Sequence, residues 1–285
     1  MSFELHLLAP AGAQVRLPEV REYLARQPPV EMPTAWGAHE AAWYRNPDTG
    51  VVFWIENDFG NHAPERFRAV VSCYLNYARP SFFALEAMPF ISNMARRFDL
   101  VAEVGQAAGM PAPIDEAQLV EAWRSGNRVT IEAAAREGTL LPYMPEGLAT
   151  SMWRYNYRLD ELRARFGLDV FVPKLKAARE AGGDLVRHMT WTEAVPLVLP
   201  ECDLASLVAE PIQSRFKLRG VIDCQELRSG LAALLEELAG DPDGLCLLPP
   251  LRVPDAIPIF RAMKPRRRTL SMVANDDFVD WRPGG

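Results

Sequence analysis

Several residue types are scarce in this sequence, and long apolar runs are absent from it. Lysine, cysteine and histidine each occur only four times in 285 residues. No stretch approaches the roughly 18–20 apolar residues of a membrane-spanning helix, and residues 1–10 lack the basic start and long apolar core of a secretory signal. We therefore expect a cytoplasmic protein without a membrane partner.

Basic charge is scarce in the first half of the chain. Residues 1–150 carry 12 Lys and Arg against 18 Asp and Glu, residues 151–285 carry 19 of each, and the formal net charge is −6. Proteins that bind nucleic acid without sequence specificity need a basic surface that releases phosphate counterions. The charge balance excludes such nucleic-acid binding and is compatible with a basic protein partner.

The common catalytic and metal-binding patterns are missing as well. The chain contains no GxGxxG, GxxxxGK[ST], HExxH or GxSxG sequence. No two histidines lie four residues apart, as a helix-borne metal pair would require (His6, His39, His62 and His188). The cysteines form no CxxC pair and lie in apolar surroundings, so we predict reduced core residues rather than a disulfide or metal site (Cys73, Cys202, Cys224 and Cys246). We predict no metal, no cofactor and no catalytic residue.

The first half of the chain alternates strand and helix patterns. Pro47, Asp48 and Gly50 provide the turn of a hairpin between residues 41–46 and 51–58. The predicted order is β-α-β-β-β-α-β, with strands at 3–8, 41–46, 51–58, 67–77 and 98–104 and helices at 17–27 and 81–98. This order predicts an α+β fold with a mainly antiparallel sheet flanked by helices.

A segment with two prolines and a glycine, residues 139–150, predicts a domain boundary. We expect a sheet domain at 1–145 and, packed against it, a second, smaller α+β region at 146–285 with a proline-rich C-terminal tail. The patterns in this region predict helices at 157–167 and 226–240 and strands at 169–175 and 185–191.

Three polar residues stand among aromatic side chains where the strand at 67–77 ends and the next helix begins. Burying Asn76, Arg79 and Glu86 without partners would be costly. We expect an Arg79–Glu86 ion pair that joins the end of the strand to the helix. The alternative is a ligand site in which the guanidinium group of Arg79 binds a carboxylate or phosphate.

The hairpin carries aromatic residues on both of its faces. Trp43 and Tyr44 are adjacent, as are Phe53 and Trp54, so one residue of each pair points away from the core beneath the hairpin. That outer face is either covered by the second region or is a partner surface, where Trp and Tyr are frequent anchors and carboxylates form a negative rim. The candidate partner-binding residues are Trp43, Tyr44, Asp48, Trp54, Glu56 and Asp58.

Two elements of the sequence resemble those of a family numerous in myxobacterial genomes. Residues 44–50 fit the pattern YxNxDTG, residues 76–87 fit NxxRPxxFxxEA, and the resemblance extends over most of residues 1–203. The size of that family and its many divergent copies are similar to those of immunity proteins that neutralise polymorphic toxins. By this analogy, the resemblance implies an immunity-type protein.

Three functions are compatible with these patterns. The leading hypothesis is a non-catalytic, cytoplasmic binding protein, an immunity-type inhibitor that occludes a basic toxin domain, since acidic surfaces accelerate the capture of basic proteins. One alternative is an enzyme with a pocket between the two halves that uses Arg79, Glu86 and either His62 or His188. Another is a scaffold that associates through its acidic, aromatic tail, and the basic cluster at 264–268 is expected to be a solvated or partner-pairing loop.

Overall fold

The computed structural model describes residues 1–37, 40–59, 66–105, 111–180, 182–193, 195–212, 215–241 and 243–284, with the backbone alone at 210–212 and 215–218. The chain divides into two compact units, one of Met1–Leu141 with Asp276–Gly285 and one of Pro142–Asn275. Both combine helices with mainly antiparallel sheets, so the predicted α+β class is confirmed. Sequence patterns placed the division at 145/146 and assigned the tail to the second region, whereas the last ten residues here belong to the first unit.

The first unit is built on one antiparallel sheet. Its elements are β1 (Ser2–Pro10), α1 (Leu17–Ala25), β2 (Val30–Glu31), β3 (Ala41–Arg45), β4 (Val52–Asn57), β5 (Phe67–Asn76), α2 (Phe82–Phe98), β6 (Val101–Val104) and α3 (Glu116–Arg136). The six strands lie in the order β2-β3-β4-β5-β1-β6. The predicted succession of strands and helices is observed, with the two-residue edge strand β2 as an addition.

Helix α2 packs on one face of this sheet and forms the core with it. Alternate residues of a strand point to opposite faces, and Tyr44 of β3 and Phe53 of β4 point towards the helix. Their rings lie 5.1 Å and 5.7 Å from that of Phe90 in α2, and both side chains are buried. Trp43 and Trp54, which alternate with them, therefore lie on the opposite face.

The turn between β5 and α2 is held by α3. Ala78 has a φ of 58°, which is uncommon for a residue other than glycine. The side chain of Asn127 in α3 accepts hydrogen bonds from the backbone N–H groups of Ala78 (2.7 Å) and Arg79 (3.3 Å) and donates to the carbonyl of Arg79 (2.9 Å). Because Asn127 is buried, these bonds satisfy polar groups that water would not reach.

The C-terminal tail is packed into the first unit. Phe278 and Asp280 are buried, and the ring of Phe278 lies 6.2 Å from that of Phe82. The carboxylate of Asp280 accepts hydrogen bonds from the backbone N–H (2.7 Å) and the hydroxyl (3.0 Å) of Ser81. Phe278 and Asp280 therefore anchor the tail within the first unit and are not available to bind a partner.

The second unit contains two sheets. Its elements are α4 (Glu146–Tyr157), α5 (Leu159–Phe166), β7 (Lys176–Arg179), β8 (Val186–Thr192), β9 (Leu197–Leu199), β10 (Leu204–Ile212), β11 (Arg215–Asp223), α6 (Cys224–Leu231), β12 (Glu236–Glu237), β13 (Cys246–Leu248), α7 (Val253–Ala262) and β14 (Ser271–Val273). The strand orders are β11-β10-β8-β7-β14 and β12-β13-β9, and only β8 and β10 pair in parallel.

Two predicted elements of this unit are wrong. The strand predicted at 169–175 is irregular apart from a bridge at Phe171, and the strand follows it at Lys176–Arg179. The helix predicted at 226–240 ends at Leu231, because the next segment turns and pairs as β12 with β13. Strand pairing here overrides the leucine spacing that favours a longer helix.

The prediction of four reduced cysteines is also wrong, because Cys202 and Cys224 form a disulfide. Strands β10 and β11 make a hairpin in which Leu204 pairs with Asp223. The two cysteines therefore flank the open end of that hairpin, with their Cα atoms 5.8 Å apart, within the range of a disulfide. Because this hairpin was not predicted, no sequence pattern indicated that the two cysteines pair. The other two, Cys73 and Cys246, are free and buried.

Candidate functional site

The face of the first sheet opposite α2 carries most of the residues predicted to bind a partner. We define the open face as Glu4, His6, Trp43, Trp54, Glu56, Asp58, Ser72, Tyr74 and Glu103. In register, Trp43, Trp54, Tyr74 and Glu4 lie side by side on β3, β4, β5 and β1. Except for Ser72, which is buried, the side chains of this face are half-buried.

Three aromatic rings form a continuous row across the open face. The ring centroids of Trp43 and Trp54 are 5.6 Å apart, and those of Trp54 and Tyr74 are 5.2 Å apart with the planes within 10° of parallel. At the outer end, the guanidinium group of Arg45 lies 4.7 Å from the centre of the Trp43 ring. The row is rigid because each ring is supported by its neighbour across the strands.

Carboxylates surround this row. The indole N–H of Trp54 donates to Glu56 at 3.0 Å, and the hydroxyl of Tyr74 is hydrogen-bonded to Glu4. Burial, together with the negative charges of Glu4 and Glu56, raises the pKa of the Tyr74 hydroxyl. Glu103 continues the acidic set on β6, opposite His6 of β1. The open face therefore combines aromatic anchors with negative charge.

A histidine, a serine and an aspartate lie together on the open face, but they do not have the arrangement of a catalytic triad. The hydroxyl of Ser72 donates to Asp58 and lies 2.6 Å from Nδ1 of His6. A nucleophilic serine would instead give its proton to the histidine, and Ser72 is fully buried. A hydrogen bond between His6 and Asp58, together with the negative charges of Glu4 and Glu103, raises the pKa of His6, although burial lowers it. The cluster joins β1, β4 and β5 electrostatically.

Two of the predicted partner-binding residues lie elsewhere. Tyr44 is only 4% exposed and faces α2, so it belongs to the core and is removed from the candidate surface. Asp48 lies in the turn between β3 and β4, where its backbone N–H donates to the side chain of Asn46 at 3.0 Å. Trp43, Trp54, Glu56 and Asp58 remain, and the register adds Glu4, Tyr74 and Glu103. Finding these three required the strand order, in which β4 is followed by β5, β1 and β6.

Residues of the two sequence patterns YxNxDTG and NxxRPxxFxxEA meet at Glu86. This glutamate of α2 is 3% exposed, and its Oε1 accepts hydrogen bonds from the hydroxyl of Tyr44 (2.8 Å), the amide of Asn46 (2.8 Å) and the hydroxyl of Thr49 (3.1 Å). The carboxylate thereby fastens the hairpin turn to α2. We call this arrangement the Glu86 clamp, and it gives the YxNxDTG and FxxEA residues a structural role.

The predicted ion pair between Arg79 and Glu86 is not formed. The guanidinium group of Arg79 donates to the carbonyl of Ala78 at 3.3 Å, and its backbone is held by Asn127. Asn76 ends β5 opposite Ser2 and is half-buried. The three residues predicted as one polar cluster therefore lie in separate environments, and the described structure does not bring them together as a ligand site.

The enzyme alternative finds little support in the residues that the structure describes. His188 is buried, with Nε2 2.8 Å from the hydroxyl of Ser206, but Nδ1 has no hydrogen-bond partner to orient the ring as a general base requires. Burial, with a smaller effect of Lys176, lowers the pKa of His188 to about 4, so the ring is a weak base at neutral pH. The other histidine of the enzyme hypothesis, His62, lies outside the described residues.

Two cavities in the described parts of the molecule are lined by residues other than Arg79 and Glu86. One, of about 630 Å³, lies between α1 and the end of α2. The other, of about 700 Å³, is lined by arginines of the second unit. Within the described ranges, no group of three or more His, Cys, Asp or Glu is placed to hold a metal ion.

No family model, curated protein or solved structure matches the chain. None of the described helices is long and apolar enough to cross a membrane.

Proposed function

We propose that this chain is a non-catalytic binding protein that docks a basic protein partner on the open face, as an immunity-type inhibitor occludes its toxin. The observation that carries the proposal is the row of Trp43, Trp54 and Tyr74, half-buried and bordered by carboxylates on the face of the sheet that α2 does not cover. Rigid aromatic residues are the commonest binding anchors at protein interfaces.

The charge of the open face selects the chemistry of the partner. Glu4, Glu56, Asp58 and Glu103 contribute four carboxylates, against the basic side chains of His6 and of Arg45, which lies at the outer end of the aromatic row and pairs with Glu31. A basic partner would be steered to such a surface, and the steering would weaken as the salt concentration rises. An acidic partner would be repelled, and a purely apolar one would leave the carboxylates without partners.

The proposal is tested by capture with matched charge-reversal variants. The wild type, a face variant (Glu56→Lys with Glu103→Lys) and a control variant (Glu137→Lys with Glu236→Lys) are used as baits in lysate of the encoding organism. Both variants change the net charge equally, but the control glutamates are exposed, do not belong to the open face, and lie directly after α3 and on β12. Thermal unfolding first verifies that all three baits are folded.

The expected result is one basic protein that the wild type and the control retain stoichiometrically and the face variant does not. For an immunity-type role, expressing that protein alone should arrest growth, and co-expressing the control, but not the face variant, should restore it. Equal retention by the face and control variants would contradict the assigned surface. Failure of the wild type to retain any protein would contradict the binding function.

A cytoplasmic location is part of the proposal, and the disulfide is the observation that opposes it. Disulfides are rare in the cytosol of mesophiles, yet Cys202 and Cys224 are bonded here. Alkylation of free thiols in intact cells, followed by mass spectrometry, distinguishes a cytoplasmic location from an oxidising compartment. Labelled Cys202 and Cys224 would agree with the cytoplasm, whereas an oxidised pair throughout the cellular pool would indicate an oxidising compartment.

A further inference from the structure

The second unit contains a cavity of about 700 Å³ whose lining is dominated by arginine. The lining residues are Glu193, Ala209, Arg219, Gly220, Arg261, Arg267 and Arg268. This volume lies within the range of small-molecule sites, about 300–1,000 Å³. Four guanidinium groups around one concave space are unfavourable unless carboxylates or a bound anion offset their repulsion.

Carboxylates of the protein offset part of this charge. Arg261 donates from Nε to Glu193 at 2.5 Å, and Arg268 lies 3.3 Å from Glu180 and 3.2 Å from Asp223. The terminal nitrogens of Arg261 remain available, because only its Nε is engaged among the described residues. Arg268 therefore lines the cavity with its charge compensated by two carboxylates. Arg261 is also paired, but its terminal nitrogens can still donate hydrogen bonds into the cavity.

Arg219 is held rigidly in the wall by the end of α7. Its guanidinium group donates to the carbonyls of Phe260 (2.5 Å), Arg261 (2.9 Å) and Met263 (3.5 Å) and lies 5.0 Å from the centre of the Phe260 ring. A cation is favoured there by the negative end of the helix dipole. Leu207 pairs with Gly220 and Val208 pairs with Leu218, so Arg219 between them is the extra residue of a β-bulge. A bulge changes the direction of the side chain that it contains.

The basic segment 264–268, predicted as a solvated or partner-pairing loop, is irregular and is held against β11 at one bridge. Val221 and Arg266 exchange two backbone hydrogen bonds, of 2.9 Å and 2.8 Å. Gly220 permits this approach, because a Cβ atom there would lie 2.7 Å from the carbonyl oxygen of Arg266, and its φ is +146°. The fixed backbone places Arg267 in the lining of the cavity, while Arg266 does not contribute to it.

Arg267 is the arginine that the protein itself leaves uncompensated. It is exposed and makes no hydrogen bond or ion pair with any residue that the structure describes. Together with the terminal nitrogens of Arg261, it supplies two guanidinium forks that face one space. Such forks match the oxygens of a phosphate in a bidentate manner. Two of them suit a dianion better than a single carboxylate.

We propose that this arginine pocket binds the dianionic phosphate group of a small molecule. The pocket is concave and of small-molecule size, which favours a single phosphorylated ligand over an extended nucleic-acid backbone. The site lies wholly within the second unit and does not depend on the open face, so either proposal can fail without affecting the other.

Calorimetric titration of the intact protein with inorganic phosphate and with pyrophosphate, at constant ionic strength, tests the proposal. The test variant is Arg267→Ala, which removes an exposed side chain without protein partners among the described residues. Arg266→Ala is the matched control, because it removes the same charge from the adjacent, likewise exposed residue outside the lining. Loss of one charge-assisted, bidentate contact should weaken binding about tenfold or more, whereas the control should change it less than about twofold.

Saturable binding that Arg267→Ala weakens and Arg266→Ala preserves would support the pocket. Three results would overturn it: no saturable binding of either anion by the wild type, equal weakening by both variants, or binding of a single-stranded oligonucleotide that tightens with its length. Equal weakening would mean a diffuse electrostatic effect, and length-dependent binding would identify the cluster as a nucleic-acid surface.

Discussion

Removal of the Glu86 carboxylate should destabilise the first unit strongly. In Glu86→Ala, the hydroxyls of Tyr44 and Thr49 lose their acceptor at positions that are 4% and 0% exposed. A buried donor left without this acceptor costs about 1–3 kcal/mol, so the two together cost about 2–6 kcal/mol. Asn46 adds less, because it is half-buried and can turn towards water. This loss is a large part of the roughly 5–15 kcal/mol that stabilises a typical domain.

The assay is hydrogen exchange by mass spectrometry over a urea series, read on peptides from β3, β4 and α2 so that the second unit does not contribute. The exposed Glu137→Ala is the control and should change stability by less than about 0.5 kcal/mol. In a Tyr44→Phe/Thr49→Val background the two buried donors are gone and only the half-buried Asn46 remains, so Glu86→Ala should cost much less there. A cost below about 1 kcal/mol in the wild-type background, or the same cost in both backgrounds, would refute the clamp.

Three further predictions follow from packing, covalent links and protonation. Gly126→Ala in α3 should lower the free energy of unfolding, measured in urea, by about 1–3 kcal/mol, although alanine has the better helix propensity. The reason is that the new Cβ would lie 2.3 Å from the hydroxyl oxygen of Tyr77. A gain in stability would contradict this packing. Cys202→Ser, with its partner also changed to serine, should cost about 2–4 kcal/mol, and denatured wild type should titrate two free thiols before reduction and four after; four before reduction would rule out the disulfide. The raised pKa of His6 implies a contribution to stability that is fully present below pH 6.5 and is lost as the pH rises through the folded pKa. An NMR titration should show a lower His6 pKa in Asp58→Asn than in the wild type. An unchanged pKa would show that Asp58 is not its cause.

The first half of the fold could be predicted from the sequence because its signals are local. The turn chemistry of residues 47–50 and the alternation in β3 and β4 determine the hairpin, and they also indicate that one aromatic face lies outside the core. The sequence could not indicate which residue of each aromatic pair faces outwards. Tyr44 was therefore predicted at the partner surface, whereas it faces the core. Only the position of α2 decides which face of the sheet is buried.

The missed features all depend on contacts between residues that are distant in the chain. Glu86 appeared to need Arg79 because both are charged and lie seven residues apart, yet its partners come from the hairpin about forty residues earlier. The disulfide likewise depends on the hairpin of β10 and β11, whose apolar runs gave no clear turn signal. Sequence reasoning of this kind finds local elements and cannot choose among long-range partners.

The most direct test of the central claim is hydroxyl-radical footprinting of the open face with the captured basic partner. In the free protein, Trp43, Trp54 and Tyr74 should be oxidised, because each is half-buried rather than enclosed. In the complex their oxidation should fall several-fold, while Trp153 of α4, which is also half-buried, should be unaffected. Protection of Trp153 with continued oxidation of Trp43 and Trp54 would place the partner elsewhere and contradict the account.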